Sequence, residues 1–468
     1  MALQFTLNGE MREVSGVSPT LTVLDYLREQ AELTGTKEGC AEGDCGACTI
    51  VLAETGDGKP SYKAVNACLL MLPQLDGKHV FTVEGVATSD DLLDPVQDAM
   101  VKTDGTQCGF CTPGIIMSLF ALRQSEAEVT EGEIHNTLAG NLCRCTGYRP
   151  IVEAAREACV AAPDGLALET LKANDSYQEG NQSFHTPKSI TEMAEVFAAN
   201  PDANLLGGGT DLGILVSKER EVLSTIIQTS RVAELLEINE TNTDITFGAA
   251  VTYSDALPFI ERLYPSFATL ITRIGSVQIR NVGTIGGNIG NASPIGDTPP
   301  CLIALDATLV LYSQAGEREL PIEEFFLDYR KTDLKAGEFI KAIRLPKLSN
   351  AQEFRAYKIS KRYDQDISAV VGAYRIELED NTVLDARIAY GGMAAIPKRG
   401  VACETALIGN AWDLATAMTM LDFIQEDYQP ISDHRASKEY RFQVAGNLFQ
   451  RLYQDLSGAD EALEVVAV

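Results

Sequence analysis

The sequence predicts a multidomain α+β chain, on three observations. At 468 residues the chain is too long for one hydrophobic core and implies three or four domains. Its apolar period changes from alternating to helical near residue 85. A polar, patternless stretch at 163–184 then separates this half from a second mixed region. An apolar share of 45% and a charged share of 22% are those of ordinary globular protein. A formal net charge of −28 repels nucleic acid and anionic membrane, which disfavours a polyanion-binding role and reads as a well-solvated surface.

Residues 1–84 read as short strands with one helix. Leu3–Leu7 alternates, Asn8-Gly9 is a hairpin turn, and Met11–Val14 returns. Leu24, Leu27 and Ala31 share helical spacing, and Thr49–Leu52 and His79–Val83 are further strands. Residues 85–162 read as four helices. Val96, Ala99 and Met100 line one face, Thr112-Pro113 opens the next helix, Thr130-x-x-Glu133 is a capping box, and Pro150 starts the last. Residues 163–184 are expected to be linker, with 185–352 and 353–460 as two further mixed domains. The last of these carries strands near 370–378 and 386–390, then helices near 414–425 and 435–456. The tail to Val468 is expected to fray, with a docking tail as the alternative. The start of the chain shows no basic region followed by an apolar core, and the longest apolar runs, such as Ile115–Leu122, are too short to span a bilayer. A soluble, cytoplasmic protein is expected, in which 11 cysteines favour metal or redox use over disulfides.

Cys40-x4-Cys45-x2-Cys48, with Cys68 further on, is the plant-type spacing for a [2Fe–2S] cluster. Iron and bridging sulfide need soft, deprotonated thiolates, and four hold two irons. Gly43 and Gly46 let the loop wrap tightly and aim backbone N–H groups at sulfur. Cys108-x2-Cys111 and Cys143-x-Cys145 form a second set beside helix ends. Their spacing alone leaves zinc and iron–sulfur both open. The run Asn141-Leu142-Cys143-Arg144-Cys145-Thr146-Gly147-Tyr148-Arg149-Pro150 is more specific. Cys159, Cys301 and Cys403 are left over and are expected to be buried packing. His79, His135, His185 and His434 form no triad or metal pair.

Both cysteine sets, in this order and context, resemble the iron–sulfur part of the xanthine dehydrogenase and aldehyde oxidase family of molybdenum hydroxylases. The resemblance implies a ferredoxin-like β-grasp domain over 1–84 and a helical cluster-binding domain over 85–162. It assigns Cys40, Cys45, Cys48 and Cys68 to a cluster near a flavin, and Cys108, Cys111, Cys143 and Cys145 to one near a molybdenum centre.

Two glycine loops follow. Leu205-Leu206-Gly207-Gly208-Gly209-Thr210-Asp211-Leu212 lets successive N–H groups converge on an anion. Gly283–Ala292, with Ser293-Pro294 and Asp297 beyond, adds a second small-residue loop. Neither is G-x-G-x-x-G, so a Rossmann fold is disfavoured. Together they resemble the FAD domain of the same family, of the vanillyl-alcohol-oxidase type. By that resemblance residues 205–212 hold the FAD diphosphate, and Thr284, Gly287, Asn288, Asp297, Ile340 and Lys358 also contact FAD. The last domain resembles the C-terminal domain of the carbon monoxide dehydrogenase flavoprotein.

Phe325–Thr332 resembles a family stretch that has glycine where this chain has Asp328, which puts the loop's shape in question. Lys358, Lys361 and Arg362 form a basic cluster in an acidic chain, suited to an anionic dinucleotide such as NAD+, with a solvated charge run as the equal alternative. The resemblance implies an electron-transfer subunit carrying two [2Fe–2S] clusters and FAD. Electrons from a molybdopterin-bearing large subunit would pass through the clusters to FAD and then NAD+, as xanthine or hypoxanthine is hydroxylated to urate. A dimer of heterodimers is the expected assembly. A related hydroxylase for another N-heterocycle or an aldehyde, and a stand-alone iron–sulfur flavoprotein reductase, are the rivals.

Overall fold

A computed structural model of the chain describes residues 2–56, 59–87, 92–125, 128–160, 163 and 168–458. It folds into two compact units, one of residues 1–232 with 275–283, the other of 233–274 with 284–468. The expected frayed tail beyond residue 458 lies outside the described residues.

The first unit opens with a five-stranded sheet in the order Glu10–Val14, Leu3–Leu7, His79–Phe81, Thr49–Gly56, Lys59–Asn66. Only the pairing of Leu3–Leu7 with His79–Phe81 is parallel. The hairpin turn falls at Asn8-Gly9, both with positive φ (54° and 85°), as a type I′ turn requires. The expected helix is shorter than its apolar spacing suggested: Val23–Asp25 passes into one π-turn, Tyr26–Gln30. Strand alternation gives the sheet two buried faces. Ile50 and Leu52 join the core that holds Leu3, Phe5 and Leu7. Val51 and Ala53 join the core of the four following helices.

Those helices are Pro95–Lys102, Thr112–Arg123, Glu131–Leu138 and Arg149–Ala158. The predicted capping box at Thr130 forms in both directions, and Asp94 makes a second with Gln97. Val96, Met100, Ile115, Phe120, Ile134 and Ile151 fill the space between the helices. A buried ion pair crosses this core, Arg123 Nη2 to Asp94 Oδ2 at 2.6 Å.

Within the stretch expected to be linker, Ser176–Glu179 and Gln182–His185 instead form a hairpin in a four-stranded sheet with Asn204–Leu206 and Thr225–Gln228. The stretch looked patternless because the hairpin buries little more than Tyr177 and Phe184. Glu179-Gly180-Asn181 is its turn, with Gly180 at φ +57°.

The second unit has an antiparallel sheet in the order Ile238–Glu240, Asp244–Gly248, Phe339–Pro346, Thr308–Ser313, Gly316–Pro321. A second sheet, Gln352–Ile359, Val370–Glu379, Thr382–Gly391, Lys398–Arg399, packs against the helices Leu414–Asp427 and Lys438–Leu456. Asp328 does not take positive φ; Arg330 does, at 51°. The departure from glycine at 328 therefore costs the hairpin Phe326–Asp328/Lys331–Thr332 no backbone strain. Phe325 and Phe326 are ordinary core. Among the described residues no helix is long and apolar enough to cross a membrane.

Asp94 both caps a helix and neutralises a guanidinium that is 0% exposed. Asp94→Ala should lower the unfolding free energy by ~3–5 kcal/mol, because it removes the carboxylate of a buried ion pair together with a helix cap. An unchanged urea midpoint would show that Arg123 is not held by this pair.

Candidate functional site

The loop carrying Cys40, Cys45 and Cys48 turns on three residues in the left-handed region, Ala41, Gly43 and Gly46 (φ 55°, 79° and 69°). That path aims the amides of Glu42, Asp44 and Cys45 at Cys40 Sγ, at 3.4, 3.3 and 3.3 Å. The thiols fall into pairs. Cys45 donates to Cys40, which holds Cys40 down to about 5 with help from the three amides. Cys45 is raised in turn, because that bond favours its thiol form. Cys68 and Cys48 make the second pair, with Cys48 lowered by the Cys68 hydrogen bond and Cys68 raised. Asn66 Nδ2 also reaches Cys48 Sγ, at 3.8 Å.

The second set pairs in the same way. Cys108 and Cys145 have their sulfurs 3.3 Å apart. The Phe110 amide lowers Cys108 first, and the Cys145 contact adds to it. Cys111 hydrogen-bonds Cys143 and is pushed up to about 12, chiefly by burial. Burial opposes ionisation of Cys143, but Thr146 Oγ1 at 3.1 Å and neighbouring amides bring it below its ordinary value. Two pairs per set suit a two-iron cluster, which takes two thiolates on each iron. A single tetrahedral ion would draw four ligands to one point. The donor sets therefore fit [2Fe–2S] better than zinc.

The two sets meet along a backbone seam. The Leu142 amide donates to the Cys45 carbonyl at 2.9 Å. Asn141 Nδ2 donates to the Gly46 carbonyl at 3.0 Å. A Cβ on Gly46 would lie 2.0 Å from the Gly140 carbonyl, and one on Gly114 2.2 Å from that of Gly46. On its other side the first set touches the 205–217 segment. A Cβ on Gly213 would meet the Leu69 carbonyl at 2.3 Å, and Ser217 Oγ donates to the Ala41 carbonyl at 2.7 Å. Cys108 and Cys145 are exposed, flanked by exposed Phe110 and Leu142.

The loop at 205–212 follows the strand Asn204–Leu206, and Asp211 precedes the short helix Leu212–Ser217. Gly209 takes φ +80°, and a Cβ on Gly208 would meet the Val282 carbonyl at 1.8 Å. Among the described residues, the amides of Gly208, Gly209 and Thr210 donate to no protein acceptor. A run of such donors fits a diphosphate.

In the second unit, Thr284 caps the helix Ile285–Gly290, its Oγ1 accepting from Gly287 N at 3.0 Å. Asn288 Oδ1 accepts from Thr298 at 2.5 Å. Ile340 lies across from Gly290, 3.8 Å from where a Cβ would stand. Asp297 and Lys358, 61 positions apart in sequence, form a buried pair at 2.5 Å, and Ser368 donates to the other carboxylate oxygen at 2.5 Å. This corrects the expected basic cluster. Lys358 sits on the strand Gln352–Ile359 and turns inward, 6% exposed, so its charge is spent on Asp297. Lys361 and Arg362 are exposed, and Asp366 accepts from both their amides. Two further residues escaped the sequence reading. Buried Arg441 donates to the carbonyls of Ala369 and Gly392, and buried Gln278 joins the seam. Neither belongs to a motif.

Four family models match the chain in succession. They are the 2Fe-2S iron-sulfur cluster binding domain (residues 5–72), the [2Fe-2S] binding domain (82–156), the FAD binding domain in molybdopterin dehydrogenase (176–348) and the CO dehydrogenase flavoprotein C-terminal domain (355–456). Xanthine dehydrogenase 2 of Arabidopsis thaliana is 32% identical over 90% of this chain and 37% of that protein. Xanthine dehydrogenase of Emericella nidulans is 30% identical over 98% of this chain and 39% of its own length. The chain thus spans a little over a third of the curated relatives it matches. Among solved structures, a carbon monoxide dehydrogenase from Hydrogenophaga pseudoflava matches with a TM-score of 0.55 and 29% identity, over 57% of this chain and 94% of that one. Quinoline 2-oxidoreductase from Pseudomonas putida 86 matches with 0.55 and 26%, over 60% and 98%. These matches bear out the α+β multidomain fold with ferredoxin-like and flavoprotein domains.

The leftover cysteines divide. Cys301 and Cys403 are fully buried as expected, but Cys159, at the end of the helix Arg149–Ala158, is only half-buried. Burial pushes its thiol up to about 11. The thiolate is the nucleophile, so alkylation of Cys159 in the native protein should be slow at neutral pH and keep accelerating as pH approaches that value. Mass spectrometry should find Cys301 and Cys403 unmodified. A rate that levels off near pH ~8.5, the free-cysteine value, would refute the burial effect.

Proposed function

We propose, for a chain that belongs to the molybdenum-hydroxylase family as its iron–sulfur and FAD-binding part, that it is the electron-transfer part of a xanthine dehydrogenase. The observation that carries this is the order of contacts in the first unit. The glycine loop at 205–212 abuts the first cysteine set, the first abuts the second, and the second opens to the surface. Such a row suits a relay from a molybdopterin site on a partner to a flavin.

On this reading Cys40, Cys45, Cys48 and Cys68 hold one cluster, and Cys108, Cys111, Cys143 and Cys145 hold the other. Residues 205–212, with Thr284, Gly287, Asn288, Asp297, Ile340 and Lys358, hold FAD. When bound, these groups supply one-electron steps at the clusters and two-electron exchange at the flavin. The chain's own part is to hold and tune. Amides aimed at Cys40 Sγ stabilise negative charge there and so raise the tendency to accept an electron. The buried Asp297–Lys358 pair balances one cation against one carboxylate and fixes both side chains in place. Exposed Phe110 and Leu142 beside Cys108 and Cys145 offer the partner an apolar footing over the second set. Xanthine as substrate follows the relatives named xanthine dehydrogenase, and NAD+ as acceptor follows the family resemblance of the sequence. The matches to carbon monoxide dehydrogenase and quinoline 2-oxidoreductase support a second reading, a related hydroxylase for another small substrate.

Purification from the native host, with metal analysis and a xanthine-dependent NADH assay, tests the proposal. A large molybdenum-bearing partner and xanthine-dependent NADH should both appear. Quinoline-type turnover without xanthine turnover would select the second reading. Cys68→Ser should remove the first cluster's spectrum and leave FAD bound, because Cys68 belongs to a different fold element from the flavin loops. Loss of iron from both sets together with FAD would overturn the residue assignment.

A further inference from the structure

Four polar side chains, each at most 1% exposed, meet at the seam: Thr49, Ser118, Asn141 and Gln278. Gln278 comes from the short helix Val277–Arg280, far in sequence from the other three. Its Nε2, with two N–H groups, lies within hydrogen-bond distance of three acceptors, Ser118 Oγ at 3.0 Å, Asn141 Oδ1 at 3.1 Å and Thr49 Oγ1 at 3.3 Å. Each partner is tied to a cysteine loop. Thr49 Oγ1 donates to the Gly46 carbonyl at 2.7 Å, between Cys45 and Cys48. Ser118 Oγ, on the helix that follows Cys111, donates to Asn141 Oδ1 at 2.7 Å. Asn141 Nδ2 returns to the Gly46 carbonyl. Among the described residues Gln278 Oε1 has no hydrogen-bond partner, and it faces Gly140, where a Cβ would stand 2.1 Å away. A glutamine that merely filled the core would not leave its carbonyl unpaired to satisfy three segments with its amide.

We infer that Gln278 is a positioning residue that holds the two cysteine loops in register, by locking the bond from the Leu142 amide to the Cys45 carbonyl. The inference rests on the reading of these loops as the two cluster sites. Gln278 touches no cysteine; it acts through Asn141, Ser118 and Thr49 on the backbone that joins them. Gln278 also lies five positions before Gly283, so the strand of chain that fixes the seam runs directly into the second glycine loop. Methionine would keep the volume and remove the donors, and glutamate would offer only acceptors to a site built of acceptors.

Gln278→Met and Ser118→Ala, made in the full chain, provide the test. Amide exchange at Leu142 should speed up ~tenfold or more in Gln278→Met, the effect of losing about one net hydrogen bond's worth of local protection. Exchange within Thr308–Ser313 of the other unit should not change. In the loaded protein, iron, sulfide and flavin contents should stay complete. The magnetic splitting between the two reduced clusters should change while each keeps its own g values. Ser118→Ala should move the same amide less, and it decides the matter if Gln278→Met does not fold. Unchanged Leu142 exchange and unchanged splitting, or an equal rise in exchange across both units, would overturn the inference. A wild-type protein lacking iron and sulfide would instead refute the cluster reading, with Leu142 exchange still reporting on Gln278.

Discussion

Two polypeptide backbones touch at Gly46 and Gly140 with no side chain between them, and the first unit is arranged around that contact. Gly46 must take positive φ to turn the loop of Cys45 and Cys48, and it must lack a Cβ to let the Gly140 carbonyl approach. Gly114 packs against the carbonyl of Gly46 itself, from a third direction. Around this point the strand Thr49–Gly56 leaves toward the sheet, while the helix Thr112–Arg123 leaves toward the bundle. The sheet's two buried faces then join each cysteine set to its own core. Close packing makes the arrangement stiff, since interiors at crystal-like density do not absorb small shifts.

The interior handles charge differently from the surface. With a net charge of −28 the exterior carries a large acidic excess, yet several cations are fully enclosed. Arg123 meets Asp94, Lys358 meets Asp297, and Arg441 meets Asp433 and two backbone carbonyls. Each of these three cations has a carboxylate opposite, as the cost of stripping water from an ion demands. In the second unit these pairs lie next to the flavin-type loops. Gly392, held by Arg441 through its carbonyl, donates its amide to Pro294. Asp297, three residues later, is thereby anchored from two sides.

Local features were legible in the sequence, and long-range ones were not. The cysteine spacings, the Asn8-Gly9 turn and the Thr130 capping box depend on residues a few positions apart, and each appeared where the sequence placed it. Lys358, Lys361 and Arg362 are neighbours in sequence and look there like one basic cluster. Strand geometry sends Lys358 into the interior, while Lys361 lies beyond the strand's end at Ile359. The hairpin at 176–185 passed for linker because two inward aromatic residues are too few to show a period. Gln278 and Arg441 carry no motif. Apart from Asp433 beside Arg441, their partners lie 49 to 229 positions away, which only the folded chain reveals.

Burial at the first cysteine set bears on how the protein matures. Cys48 and Cys68 are each 2% exposed, and Leu69 is pressed beneath Gly209 and Gly213. On the proposed reading, a scaffold protein delivering iron and sulfide could not reach those thiols once the 205–217 segment had closed over them. Filling of the first set would then come more easily before the 205–217 segment packs on it, while Cys108 and Cys145 of the second set remain exposed. Biogenesis of this polypeptide would have a preferred order of insertions, set by geometry.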